Sequence, residues 1–383
     1  MTAGKGSRAG YNLGVRSYWR AWTCPTKPWR SGMIAALAAA KALPASHFLS
    51  LTILAGVAFG LLAYGRCVSL PFQSSPPDDV GCIRVGLRYA AAPLELPLRY
   101  LSGNWIRVPG HASYALDAAW FGLDPRAWHA TNLLVHLCNV MLFALAAWII
   151  RRNRIAVLAG TVLFAIWPSG HVAVEWVAAR HDLFMLTGFL AALVLYGRWR
   201  ERGGRGLYAG ALAAFVAMLL SKETAITLAF SFILAEALVF RPPLRWRAMA
   251  PFALIALAYA VVIVLRFHLL GPAGAPYLQN MGTRASALPR ALVAIGQIWS
   301  PWLAPAFAAL IIGATYADSR LGLWAVLSTC VIVGPPAMLD RTDPIGSWYL
   351  YAPAGLVVLS ISCAAASALK HGRRRAWARS AGV

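Results

Sequence analysis

The chain has 383 residues, 60% of them hydrophobic and only 13% charged, with a mean hydropathy of +0.61. A soluble domain is about 45–50% apolar and about 25% charged, so this balance excludes an ordinary soluble fold. Several apolar runs reach the ~20 residues that cross a bilayer, which predicts an all-α, polytopic transmembrane bundle. The net charge of +22 does not indicate a nucleic-acid partner. Basic residues cluster in short segments between apolar runs: Arg151 to Arg154, Arg198 to Arg205, Arg241 to Arg247 and Lys370 to Arg379. Lys5, Arg16 and Arg30 add to the N-terminal end. Cytoplasmic segments carry such Lys/Arg excess, so both termini are expected in the cytoplasm, against an anionic leaflet. Most acids fall on the other face, with Glu201, Glu236 and Asp318 as the exceptions. The membrane expected is a bacterial-type inner membrane.

Residues 1–46 form a basic cytoplasmic segment whose basic region is too long for a cleaved signal peptide. Within it, 33–43 is an alanine-rich stretch interrupted by Lys41 and followed by Pro44. It reads as a surface helix, with Met33 as an alternative start. The membrane domain spans 47–368, beginning with a first crossing over about 47–65. A long external loop, 66–126, follows. In it Ile83, Leu87, Ala90, Leu94 and Leu98 recur at helical spacing, the mark of a helix over 83–101 lying in the interface.

Further spans are predicted at about 128–150, 155–168, 183–197, 206–220, 224–240 and 248–269. A Gly/Pro-rich loop covers 270–290. Pro301 and Pro305 break the next run, so 291–304 reads as a re-entrant or surface helix and 306–317 as part of a crossing. Spans at 321–339 and 349–368 bring the total to ten, before a basic cytoplasmic tail at 369–383. Eleven is the alternative if 291–304 or the N-terminal stretch also crosses. The six cysteines lack metal-type spacing, and Cys67 and Cys82, in one external loop, are either a disulfide or two separate thiols.

On this topology the unusual polar groups collect on the external side. Asp78-Asp79 follows Pro76-Pro77, which predicts an extended or turn segment rather than a helix. Adjacent carboxylates repel, so one is expected to have a raised pKa, as a general base needs. Pro-Asp-Asp also makes an ordinary turn. The run Pro168 to Asp182 holds His171, Glu175, Arg180 and Asp182 between apolar walls, where ionisable groups are costly unless paired, hydrated or functional. As one helix it would set His171, Glu175 and Asp182 within roughly 40° of each other, with Arg180 opposite. Arg180 and Lys222 can neutralise a phosphate. The competing roles are plain: loop ion pairs for Glu175 and Asp182, snorkelling for Arg180, and for Ser221 and Glu223 a cap and first-turn charge on the next span. His136 reads as a buried, hydrogen-bonded histidine. Two candidate ligands without a third do not make a metal site, and no cofactor requirement is legible.

Four segments occur in an order that resembles a known group. They are Asp78-Asp79; Phe121-Gly122-Leu123-Asp124-Pro125 followed by His129-Ala-Thr-Asn132 and His136; the run with Pro168, His171, Glu175, Trp176, Arg180 and Asp182; and Lys222-Glu223-Thr-Ala-Ile-Thr227. Together they resemble the membrane module of the transmembrane and tetratricopeptide-repeat protein O-mannosyltransferases and their bacterial relatives, polytopic glycosyltransferases of the GT-C class. The resemblance implies inverting transfer of a sugar from a polyprenyl-phosphate donor to a protein or glycan acceptor on the external face. It implies a first-loop acid as base, Asp79 ahead of Asp78. Arg180, Lys222, His171 and Arg341 would hold the donor phosphate, with Glu175, Asp182, Glu223 and His129 in support. Arg341 enters because Trp348 stands where the family usually has an arginine before a Tyr-x-Pro-type ending. Two other classes fit the composition: a transporter or flippase for a lipid-linked glycan, which should keep polar groups along a mid-membrane pathway, and a non-catalytic membrane scaffold.

Overall fold

The computed structural model describes residues 43–73, 78–95, 106–240, 242–270, 312–313, 316, 318–338 and 347–380. The expectations for residues 1–42, for nearly all of the 270–290 loop, for 291–304, for most of 306–317 and for Arg341 lie outside these. Backbone contacts divide the chain into Met1–Phe48 and Leu49–Val383. Among the described residues the structure is helical and has no strand.

The first helix, α1, covers Ala45–Tyr64 and closes in a 3-10 turn at Gly65–Ser69. Two shorter helices follow, α2 (Asp78–Ala91) and α3 (Val108–Phe121), packed against each other. A Cβ on Gly86 would lie 2.6 Å from the Tyr114 carbonyl oxygen, so only glycine permits this approach. Two expectations change here. Asp78 and Asp79 occupy the first turn of α2 rather than an extended segment; carboxylates are favoured at a helix N-terminus by its free amides and dipole. The helix that carries Ile83 ends at Ala91, because Pro93 disfavours helical geometry in the residue before it; residues 96–101 of the expected interface helix, Leu98 among them, lie outside the described residues. Gly86 and Tyr89 are buried, whereas Leu87 and Leu94 of the expected apolar stripe are exposed.

The longest apolar rods are α4 (Pro125–Ile150), α7 (Arg180–Arg202) and α10 (Trp246–Leu270). The Asp124 side chain caps α4 by accepting from the Arg126 amide at 3.0 Å, and Pro125 sits where a missing N–H costs nothing. The intervening helices are short: α5 (Arg154–Ala165), α8 (Arg205–Leu219) and α9 (Ala225–Leu238). After them come α11 (Ser319–Met338) and α12 (Tyr351–Ser380). Among the described residues four segments are long and apolar enough to cross a membrane: Ala45–Ser69, Pro125–Ile150, Val177–Arg202 and Trp246–Arg266. Five shorter apolar helices accompany them.

The core lies where α7 packs on α4 and α8. Phe215, Phe232 and Phe252 meet there with ring centroids 5.0–5.3 Å apart, and Phe143 stacks on Phe164 at 4.8 Å. Cys67 and Cys82 are both free thiols, which decides between the two readings of that pair.

Candidate functional site

The segment between α5 and α7 is not one helix. It runs as a 3-10 turn at Pro168–Gly170, a short helix α6 at His171–Glu175 and a second 3-10 turn at Val177–Ala179. Trp176 is extended between the last two (φ −95°, ψ 117°). Its carbonyl accepts both the Ala179 amide of the second 3-10 turn, at 3.0 Å, and Asn132 Nδ2, at 2.9 Å. The single-helix face expected for His171, Glu175 and Asp182 therefore does not exist. His171 and Glu175 belong to α6, while Arg180 and Asp182 open α7.

Asp79 joins this segment to the first loop. Its Oδ1 accepts the Ala178 amide at 3.0 Å and its Oδ2 the Gln73 amide at 2.8 Å, and the residue is fully buried. Burial raises its carboxyl above the ordinary range, against the pull of those two amides. Asp78, one residue earlier, is exposed. His129 is buried close enough to Asp79 for their charges to couple, and its Nε2 lies 3.4 Å from the Pro71 carbonyl.

Arg180 is enclosed completely. Its Nε donates to Asn132 Oδ1 (2.6 Å), Nη1 to Asp117 Oδ2 (2.6 Å) and Ser113 Oγ (3.1 Å), and Nη2 to the Trp128 carbonyl (2.7 Å). The guanidinium lies 4.7 Å from the Tyr114 ring centroid, and Tyr114 stacks on Trp128. Asp117 also accepts from the Thr131 hydroxyl at 2.8 Å. This cluster ties α3, α4 and α7 into one frame.

Lys222 is held differently. Its Nζ donates to both oxygens of Asp182 at 2.8 and 2.7 Å and lies 4.1 Å from the Tyr349 ring centroid. Beside it, Glu223 pairs with Arg107 at 3.3 Å. The Val108 amide donates to the Leu220 carbonyl at 2.9 Å, which fixes the start of α3 on the α8–α9 junction. Ser221 donates back to the Ala217 carbonyl at 2.7 Å, so it closes α8 rather than capping α9. His181 is buried, with its ring edge-on to His111 at 5.4 Å. A Cβ on Gly110 would stand 2.1 Å from His181 Nδ1, so this packing requires glycine. Burial and the nearby Arg107 charge push His111 down to about 3, leaving it neutral near pH 7.

The structure thus gathers Asp79, His129, Arg180, Asp182, Lys222 and Glu223 at one end of the bundle. His171 is exposed, bonded to the Pro168 carbonyl at 2.7 Å. Glu175 is half-buried and makes no ion pair among the described residues. Sequence reasoning missed Asp117, Ser113 and Arg107 as partners of the charged groups. One signal was available: Gly110, Ser113, Tyr114, Asp117 and Ala118 follow the spacing of a helix face. Among the described residues, no three His, Cys, Asp or Glu side chains come together as a metal site.

No family model matches the chain, and no solved structure matches it. Over 125 residues, 33% of the chain, it is 32% identical to Protein O-mannosyl-transferase Tmtc1 of Drosophila melanogaster. The matched stretch covers 14% of that relative, so the chain spans only a small part of the relative's length. The likeness is partial and distant, to a protein O-mannosyl-transferase.

Proposed function

We propose that the chain is a membrane glycosyltransferase of the GT-C type that moves a sugar from a polyprenyl-phosphate-linked donor to an acceptor hydroxyl. The observation that carries this reading is the clamp made by Asp79, which holds the first-loop acid pair against the segment leading into α7. The partial likeness to a protein O-mannosyl-transferase supports the same reading. On the proposed topology about ten helices cross a bacterial-type inner membrane, both termini are cytoplasmic and the site faces outward. The acceptor is a protein or a glycan.

In the proposed reaction the acceptor oxygen attacks the anomeric carbon from the face opposite the phosphate. The bond from that carbon to the phosphate oxygen breaks, polyprenyl phosphate leaves, and the acceptor proton passes to a carboxylate. Inversion follows from the single displacement. The family resemblance ranks Asp79 ahead of Asp78 as base; exposure favours the reverse order. Asp78 meets the acceptor, and Asp79, with both oxygens on backbone amides, fixes the turn. Lys222 supplies the cation for the departing phosphate, with Arg107 beside it, while Asp182 and Glu223 position the two. Arg180 frames the site, and His171 lies at its rim.

The test compares lipid-linked and surface glycans of a deletion strain and the wild type. Accumulated donor lipid together with one missing sugar is expected, and unchanged glycans under all growth conditions would overturn the reading. Complementation with Asp78→Asn should lower transfer by about 10²–10⁴-fold, the usual size of a general-base contribution. Full complementation would remove Asp78 as the base.

A further inference from the structure

At the opposite end of the bundle a cavity of about 490 Å³ opens between the C-terminal ends of α4, α7 and α9. Because α4 and α7 both start at the site and end here, the two places are separated by roughly 30 Å, the length of a 20-residue helix. The volume lies within the ~300–1,000 Å³ of small-molecule sites. Its walls are divided in kind. Ile150 and Phe240 supply an apolar side, while Arg151, Arg152, Arg200 and Arg245, with the one carboxylate Glu201 among them, supply a side of net positive charge.

Three of the four arginines meet a carboxylate: Arg151 meets Asp318 at 2.6 Å, Arg152 meets Glu201 at 2.7 Å, and Arg200 meets Glu236; Glu201 is also shared with Arg198 at 3.6 Å. Arg245 is not. Among the described residues its guanidinium makes no ion pair; Nη2 donates to the Arg200 carbonyl at 3.3 Å. The group is steadied at 4.8 Å from the Trp199 ring centroid, and only its backbone amide reaches Glu236. A planar fork with donors to spare, fixed beside an apolar wall at the ends of two candidate spans, suits a phosphodiester carried on acyl chains. Basic pockets between helix ends recognise anionic lipid head groups by this chemistry.

We propose that this cavity binds the phosphate head group of an anionic phospholipid, with Arg245 as the principal contact and Arg152 at the rim. The site is independent of transfer chemistry at the other end. The test is native mass spectrometry of the full-length protein in detergent with added phosphatidylglycerol, cardiolipin or phosphatidylcholine. At least tenfold better retention of the anionic lipids is expected. Arg245→Gln should lower that retention several-fold, Arg245→Lys should retain part of it, and Arg202→Gln, outside the cavity, should leave it unchanged. Equal retention of phosphatidylcholine, or no effect of Arg245→Gln, overturns the proposal. Displacement by millimolar inorganic phosphate also overturns it, because the site would then serve a soluble anion. Should Arg245→Gln fail to fold, a phosphatidylglycerol with a photoreactive head group is crosslinked to the unaltered protein. Labelling of peptides containing 149–152 or 239–245 is expected, and labelling confined elsewhere overturns the proposal.

Discussion

Two buried cation–carboxylate pairs stand at the same end of the bundle and are built on opposite principles. In the Arg180–Asp117 pair the side chains are 0% and 5% exposed, and in the Lys222–Asp182 pair both are 3% exposed. Burial therefore does not separate them; connectivity does. Arg180 uses four of its five N–H donors on an asparagine, a serine, a carbonyl and an aspartate from two other helices, and a planar fork locks such a set in place. Lys222 is a point charge with a single carboxylate partner, which a phosphate could replace one for one. The first pair suits a frame and the second an exchangeable contact, although the sequence presents both cations alike.

The sharpest way to break this contrast is to remove the arginine. Arg180→Met should cost about 3–5 kcal/mol, since Asp117 stays buried without its cation. Replacing both partners, Arg180→Met with Asp117→Leu, should not recover it, because Asn132, Ser113 and the Trp128 carbonyl still lose a donor. Urea unfolding in detergent measures both, and wild-type stability in the double variant would sink the framing role. Next in size is Asp79→Ala, which leaves the Gln73 and Ala178 amides without an acceptor. A loss of about 2–4 kcal/mol follows from one to two unsatisfied buried donors. An unchanged midpoint would mean that the clamp holds nothing.

A smaller effect on stability is expected for Lys222→Met with Asp182→Leu. An apolar pair of similar volume is often neutral, here within about 1 kcal/mol, while transfer should be lost. A double variant that keeps transfer would return Lys222 to a purely structural role. The smallest effect is on pH dependence. The Asp79 carboxyl titrates above its unfolded value of 3.8 in the folded chain. As pH rises from 3.8 to that raised value, the unfolded chain ionises first, so stability falls across the window; it is regained as pH drops. Asp79→Ala should flatten this slope, as read from unfolding midpoints between pH 3.5 and 6.

Much of the helical frame was legible because apolar runs bounded by basic clusters mark helices by length alone. The starts and ends of α4, α8 and α9 fall within a few residues of the expected spans. What stayed hidden were polar contacts distant in sequence. Asp117 lies 63 residues from Arg180, and although the spacing from Gly110 to Ala118 marks a helix face, nothing local names Arg180 as its partner. The break at Trp176 was equally illegible, since Val174 to Ala179 has no proline or glycine to signal it. Of the charged cluster, the sequence singled out Asp79, Arg180, Asp182, Lys222 and Glu223 but neither their partners Asp117, Ser113 and Arg107 nor how the groups divide their contacts. Which cation is locked and which is singly held depends on neighbours that only the tertiary structure supplies.

The short helices have a consequence for the surrounding lipid. With α5, α8 and α9 crossing as proposed, their 12, 15 and 14 residues cover only about 18–23 Å at the α-helical rise. A hydrocarbon core is about 30 Å thick, so the bilayer beside them must thin or their ends must sink beneath its surface. Lys222, at the junction of α8 and α9, then lies below the level of the surrounding head groups. A lipid-borne phosphate would reach it by dipping into a local depression rather than by rising out of the membrane. Transfer should accordingly slow as the reconstituted bilayer is thickened with longer acyl chains.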